Sequence, residues 1–283
     1  MIAEPPQVRL PADDHVHSQF SYDTGEAASM REACEQAVAM GLPSVAFTEH
    51  VELLDPGAGD ALSSAAMAGV TVGYGGRVRP LDVEAYLASI DECRQRYPSL
   101  RVLSGVEAGQ PHLFGASLAT LLGGGRFDRV LGSCHALVHD GALVEVGSLY
   151  HVMSVEDAVR RYFAEVLAVV EGSDAFQVLA HVDFIARYLP RAGGYDGAAY
   201  EEEYRAIFRA LARSGRALEL NTKSRLASVD QLRWWYEEGG EAVSFGSDAH
   251  VPWGVGDGFA QAVAMAEAAG FRPGRHPYDW WRR

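Results

Sequence analysis

Residues 10–17 read Leu-Pro-Ala-Asp-Asp-His-Val-His, a short apolar start that runs into a cluster of ligand-type side chains. The same figure recurs along the chain. Pro43–His50 reads PSVAFTEH, Arg101–Glu107 RVLSGVE and Asp128–His135 DRVLGSCH. Phe176–His181 reads FQVLAH, Ala217–Asn221 ALELN and Glu241–His250 EAVSFGSDAH. Length and β-branched content mark these as seven strands. Helix-length stretches separate them: Glu26–Met40, stopped by Gly41 and Pro43; Asp82–Tyr97, stopped by Pro98; Ser154–Val170; Tyr200–Arg213; Val229–Glu238; and Gly258–Ala269, with a weaker one at Leu118–Leu122. Regular alternation of strand and helix argues for parallel strands joined by crossover helices. The polar residues fall at the C-terminal strand ends, which form the active-site rim of a closed β/α barrel. An open sheet would gather them at one switch point instead. The expected fold is therefore α/β, a seven-stranded, TIM-barrel-like (β/α)7 barrel, with residues 1–283 as one domain. Asp55–Arg79, rich in Gly, Ala and Ser, is expected to form a long loop after the second strand.

Composition narrows the function. The chain has 283 residues, 48% of them apolar, and 38 Asp+Glu against 24 Lys+Arg, a formal charge of −14. Such a surface repels phosphate backbones, which argues against nucleic acid or anionic membranes as partners. A local cationic pocket for a small anion remains compatible with it. Cys34, Cys93 and Cys134 form no Cys-x-x-Cys pair and no disulfide framework, which fits a reducing cytoplasm. The start, MIAEPPQVRLPADD, has neither the basic start nor the apolar core of a signal peptide, and no apolar run is long enough to span a bilayer. Nothing in the sequence sets the oligomeric state.

Six of the ten histidines sit at strand ends: His15, His17, His50, His135, His181 and His250. His15 and His17 are two apart on an extended segment, so their rings point to one side; Asp248 and His250 repeat that spacing. A lone histidine is more often a hydrogen-bonded structural residue. Six at equivalent positions, joined by Glu107 and Asp248, form a metal constellation. Nitrogen and oxygen donors without thiolate suit Zn, Mn or Fe. Nine candidates (His15, His17, Asp23, His50, Glu107, His135, His181, Asp248 and His250) exceed what one ion can use. Two or three divalent ions with a bridging carboxylate accommodate them. Cys134 is expected to face away from its neighbour His135, and Ser104 and Ser133 are expected to pack. The tail YDWWRR is expected to lie against the barrel.

Taken together, His15-x-His17, Thr48-Glu49-His50, Glu107 in GVEAG, His135, His181 in AHVD and Gly246-Ser-Asp-Ala-His250 resemble the PHP (polymerase and histidinol phosphatase) superfamily. HSQFSYD after the first His pair, GSCH and ELNTKS resemble its histidinol-phosphate phosphatase branch. The resemblance implies a distorted seven-stranded barrel with a trinuclear metal centre. It assigns His15, His17, Glu107 and Asp248 to a first metal. Glu107 would bridge to a second, completed by His135 and His181. His50, His250 and Asp23 would hold a third, at a position where many family members have His in place of Asp23. It implies L-histidinol phosphate as substrate, attacked by a metal-bridging hydroxide, with Asp248 and His250 nearest for proton transfer.

Arg187, six residues past His181, and Lys223 and Arg225, after the sixth strand, are the candidate phosphate donors; arginine's planar fork suits the anion. Asp183, Glu52 and Asp55 are candidate surface acids for an aminated substrate. Other readings remain open at this point: a PHP phosphoesterase acting on another small phosphomonoester, a nucleotide or a phosphodiester, or a metal-binding module without catalysis. An amidohydrolase-type barrel fits less well, since no strand end offers a lysine.

Overall fold

The computed structural model describes residues 9–52, 78–189, 195–223 and 228–283. Arg225 and nearly all of the expected 55–79 loop lie outside these. Strands β1 (Asp13–Val16), β2 (Ser44–Val51), β3 (Arg101–Gly109) and β4 (Arg129–Ser133) are joined by helices α1 (Met30–Met40), α2 (Val83–Arg96) and α3 (Gly115–Leu122). A hairpin follows, β5 (Ala136–His139) and β6 (Ala142–Glu145), then α4 (Val155–Gly172) and the short β7 (Val178–Leu179). The remainder is α5 (Glu201–Arg213), β8 (Ala217–Asn221), α6 (Val229–Glu237), β9 (Ala242–Gly246), α7 (Phe259–Ala269) and β10 (Trp281–Arg282). Seven strands run parallel in the order β1-β2-β3-β4-β7-β8-β9, each at an expected position. β10 adds an eighth, antiparallel to β9.

Local chemistry sets the element ends. Ser29 Oγ accepts from Glu32 N–H to start α1, and Gly41, at φ 73°, stops it in the left-handed conformation that glycine adopts at no steric cost. Ser154 caps α4, and Ser228 with Gln231 forms a reciprocal capping box on α6. β2 is buried along its whole length, as a parallel strand covered on both faces must be. The hairpin was not among the expected strands, although its turn, Asp140-Gly141, carries the residue pair suited to two positive φ angles (49° and 77°). β10, at two residues, is too short to show a period.

The sheet curls until β1 meets β9. Asp248 N–H donates to His15 O (2.7 Å) and His17 N–H to Ala249 O (2.8 Å), closing the rim at the C-terminal strand ends. At the other end of β9 the tail closes beneath: Trp281 is buried, and Trp280 packs on a small cluster of Leu131, Val178, Ala180, Ala217 and Ala242. The tail thus lies against the barrel as expected.

Two adjacent carboxylates pin β1. Asp13 accepts backbone N–H groups from Ser247 (3.0 Å) and Gly256 (2.9 Å), and burial pushes its carboxyl up to about 6 despite these bonds. Asp14 accepts from Ser244 Oγ, Trp280 Nε1 and Arg129 Nε. Strand alternation would send Asp14 and His15 to opposite faces, yet both engage residues on the barrel-facing side of β3 and β4. The register irregularity between Asp13 and Val16 permits this. Asp13→Ala leaves three buried N–H groups, those of His15, Ser247 and Gly256, without acceptors. It is expected to lower unfolding free energy by about 2–3 kcal/mol in a denaturant titration.

Candidate metal centre

Glu107, fully buried near the end of β3, stands at the centre of the rim. Its Oε2 lies 3.4 Å from His15 Nε2, 3.5 Å from His17 Nε2 and 2.9 Å from His50 Nδ1. Its Oε1 lies 2.6 Å from His181 Nε2 and 3.1 Å from His135 Nε2. Burial alone would push this carboxyl up, but the surrounding imidazoles of His135, His15, His50 and His181 outweigh it and hold it well below the usual range.

Asp248 enters from the loop after β9, with φ 52°. A non-glycine residue in this region stores strain, and such positions concentrate at functional sites. Its Oδ1 lies 3.4 Å from His17 Nε2 and 3.9 Å from His15 Nε2. Here too burial raises the carboxyl, and His15 and Arg187 reverse the shift. Further out, Asp23 Oδ2 lies 2.9 Å from His250 Nε2 and 3.4 Å from His50 Nε2. All nine expected ligand-type residues therefore meet at one rim, and Glu107 faces three histidines with one oxygen and two with the other.

The donor set fits cations. His15 Nε2 and His17 Nε2 face each other at 3.0 Å, and His135 Nε2 faces His181 Nε2 at 3.5 Å. Imidazole nitrogens come this close when a proton or a metal ion lies between them, and the clusters of His15, His17 and Asp248 and of His15, Glu107 and His181 converge tightly enough for an ion. Glu107 Oε2 and His50 Nδ1 are buried and within 2.9 Å, yet neither has a hydrogen bond. His17 is pushed well below its ordinary value, first by burial and then by His50 and His250, which favours the neutral, ligating form. Imidazole nitrogens joined by carboxylate oxygens, without thiolate, suit a transition metal such as zinc.

The outer partners are the residues sequence reading missed. Glu219 Oε1 accepts from His15 Nδ1 (2.6 Å), and Glu52 holds His135 Nδ1. Ser21 Oγ meets His17 Nδ1 at 3.0 Å. Such contacts fix which ring nitrogen faces the metal. Gln110, at φ 48°, donates to Glu52 and accepts from the His135 and Ala136 N–H groups. Two glycines make room for the two carboxylates. A Cβ on Gly109 would lie 2.1 Å from Glu52 Oε2, and one on Gly246 2.0 Å from Glu219 Oε1. Glu52 and Asp183 were expected at the surface; both are buried, and Glu52 is committed to His135 and Gln110, so neither greets a substrate from solvent. Asp55 lies outside the described residues. Glu219 does carry a sequence signal, an acid inside the apolar run ALELN.

Beside the histidines is a cavity of about 260 Å³ lined by Tyr22, Glu145, Phe184, Arg187, Tyr188 and Lys223 among others. Arg187 reaches Asp248 Oδ2 (2.8 Å) and Asn221 Oδ1 (3.0 Å), with its guanidinium over the Phe184 ring. Lys223 Nζ lies 3.2 Å from Asp248 Oδ1 and 2.9 Å from His250 Nδ1. It is the only lysine in the chain. Cys134 turns away, as expected, with its thiol toward Ala136 O.

The PHP domain family matches residues 13–223. A probable histidinol-phosphatase of Clostridium acetobutylicum is 27% identical over 92% of this chain and 94% of its own length. A histidinol-phosphatase of Lactococcus lactis is 27% identical over 84% of each. Among solved structures, a histidinol phosphate phosphatase from Lactococcus lactis, complexed with zinc, L-histidinol and phosphate, superposes with a TM-score of 0.77 at 26% identity, covering 93% of this chain and 94% of that one. A Listeria monocytogenes structure at 19% identity and TM-score 0.71 shares the fold.

Glu219→Gln and Gly246→Ala both loosen the His15 ring. Each is expected to weaken zinc binding about 10- to 100-fold in a competition titration against a chelating dye, with unchanged circular dichroism. The surface change Glu202→Gln on α5 should leave it unaltered.

Proposed function

The chain belongs to the PHP domain family, and from that premise we propose that it is a metal-dependent phosphomonoesterase converting L-histidinol phosphate and water to L-histidinol and phosphate. One observation carries the reaction class: Glu107 presents one carboxylate oxygen to His15, His17 and His50 and the other to His135 and His181, directly beside a cavity that holds Arg187 and Lys223. The curated histidinol-phosphatases and the Lactococcus complex support the substrate.

Three divalent ions, zinc, manganese or iron, match the donor set. His15, His17, Glu107 and Asp248 would hold the first. Glu107, His135 and His181 would hold the second, and Asp23, His50 and His250 the third. When bound, such ions supply an activated water near neutral pH and neutralise phosphoryl charge.

The protein's own groups do the rest. Arg187, 16% exposed and stacked on Phe184, is a preorganised fork for two phosphoryl oxygens. Lys223, at 38% exposure, adds a mobile point charge on the open side. The leaving alkoxide needs a proton. Asp248 is held as an anion by its cationic neighbours and is a poor source, and His250 belongs to the third ion's ligand set, so the Lys223 ammonium, 2.9 Å from His250 Nδ1 and 3.2 Å from Asp248 Oδ1 on the cavity wall, is the donor. Glu145, at the end of the hairpin, shares the cavity wall with Tyr22 and Tyr188 and faces the aminated part of the substrate. Residues 1–283 act as one domain, since strands from Asp13 to Arg282 join one sheet. Three buried free cysteines support a cytoplasmic setting, and among the described residues no helix is long and apolar enough to cross a membrane.

The direct test is phosphate release from L-histidinol phosphate, beside a panel of phosphomonoesters and a single-stranded DNA digest. Chelation should abolish turnover, and zinc, manganese or iron should restore it; elemental analysis of the active protein should count three ions. Equal rates across the panel would remove the substrate assignment, and DNA cleavage without phosphomonoester turnover would remove the reaction class. Glu145→Gln is expected to raise KM for histidinol phosphate with little change in kcat, and to leave p-nitrophenyl phosphate kinetics unaltered. Because Lys223 is the only lysine, an amine-reactive label should attach at that side chain and inactivate the enzyme, with phosphate protecting it.

A further inference from the structure

At the opposite end of the barrel from the metal centre lies a second cavity, of about 470 Å³. It is lined by Arg101, Arg129, Arg275 and Arg282, together with Gly274, Tyr278, Asp279 and Trp280. Arg101 opens β3, Arg129 opens β4, and the remaining residues belong to the tail that crosses beneath the sheet. Four guanidinium groups thus converge on one hollow of a chain whose formal charge is −14.

Two features separate this hollow from an ordinary solvated surface. The first is preorganisation. The Arg101 guanidinium lies over the Tyr278 ring at 4.3 Å, and that of Arg129 over Trp280 at 4.7 Å. His276 stacks on Tyr278 as well. The aromatic rings therefore serve as platforms for Arg101 and Arg129 beside the hollow that both line.

The second is incomplete neutralisation. Arg129 is committed to Asp14, and Asp279 accepts from the His276 backbone N–H. Among the described residues, Arg101, Arg275 and Arg282 form no ion pair with a carboxylate. The N-terminal face of a β/α barrel ordinarily serves stability, and clustering like charges there works against it. The cluster becomes favourable when an anion sits within it. Gly274 supports the tight return of the tail, since a Cβ there would lie 2.4 Å from Asp279 Cβ.

We propose that this hollow is a second anion site, distinct from the metal centre, that binds a small phosphorylated molecule carrying more than one negative charge. Planar guanidinium forks match phosphoryl oxygens in pairs. The volume lies in the range of small-molecule sites, and three uncommitted arginines suit a ligand with two or more charged oxygens. The site stands independently of the reaction assigned to the rim.

The test is calorimetric titration of the metal-loaded enzyme with pyrophosphate, in the wild type and in Arg101→Gln/Arg282→Gln. The wild type is expected to take two equivalents per chain, one at the metal centre and one at the tail pocket. The double variant should lose only the second, by about tenfold or more in affinity, and keep its melting temperature and its phosphatase turnover. Arg275→Gln, in an exposed turn, should weaken the same equivalent. A single wild-type equivalent that the double variant retains, or two unaltered ones in the double variant, overturns the proposal. Succinate displacing pyrophosphate from the pocket as well as phosphate does would overturn the phosphoryl class. Dimerisation of the wild type that the variant abolishes would make the pocket a contact between chains instead.

Discussion

A carboxylate that cannot reach water organises this protein. Glu107 is fully buried, and its two oxygens meet five imidazole nitrogens contributed by β1, by β2 and by the segments after β4 and β7. No single helix or hairpin could supply that set. It requires several strands to end at one level, which is what a curled parallel sheet provides. The closure of β1 on β9 then brings His15 and Asp248 together, so the backbone bonds that shut the barrel also assemble the donors. The cost of gathering like imidazoles around one anion is offset by orienting contacts from Glu219, Glu52 and Ser21, and by the cations that the donor set is shaped to receive.

The main features of this were legible in the sequence because they are periodic or spaced. Apolar runs ending in His or Asp gave the strand order, and residues two apart on extended chain gave the paired rings of His15 with His17. Orientation was not legible. Glu52 reads as one more acid just after a strand, and only the packing of β2 against β3, with a glycine at 109, turns its carboxylate onto His135. Glu219 likewise depends on the absence of a Cβ at Gly246. Such partners are set by close approach across the sheet, which no local pattern records. The β5–β6 hairpin is different: its Asp140-Gly141 signal was present, but four-residue strands outside the strand–helix rhythm do not register as periodic.

Net charge describes neither end of the barrel. The acids are spread over the outer helices, where Glu201, Glu202 and Glu203 open α5 in keeping with its dipole. Cations stand on the helices too, as Arg205 and Arg213 do on α5, but they also line a cavity at each end of the strands. Arg187 and Lys223 stand at the rim, and Arg101, Arg129, Arg275 and Arg282 lie below. A small anion can enter either cavity. That arrangement favours small, mobile anions over extended ones, because a polymer would have to lie across acidic surface on either side.

The near-absence of lysine sharpens the point. With one lysine among the chain's 24 cationic residues, arginine is the default, and the half-buried Arg129, Arg187 and Arg205 each combine a carboxylate with an aromatic ring. Lys223 departs from that pattern beside Asp248 and His250, on the open side of the cavity. A planar fork would fix one geometry there, whereas an ammonium on a flexible stem can adjust to its partners. On the proposed reaction, the rim pairs a rigid cation for the phosphate with a mobile one for its change of shape.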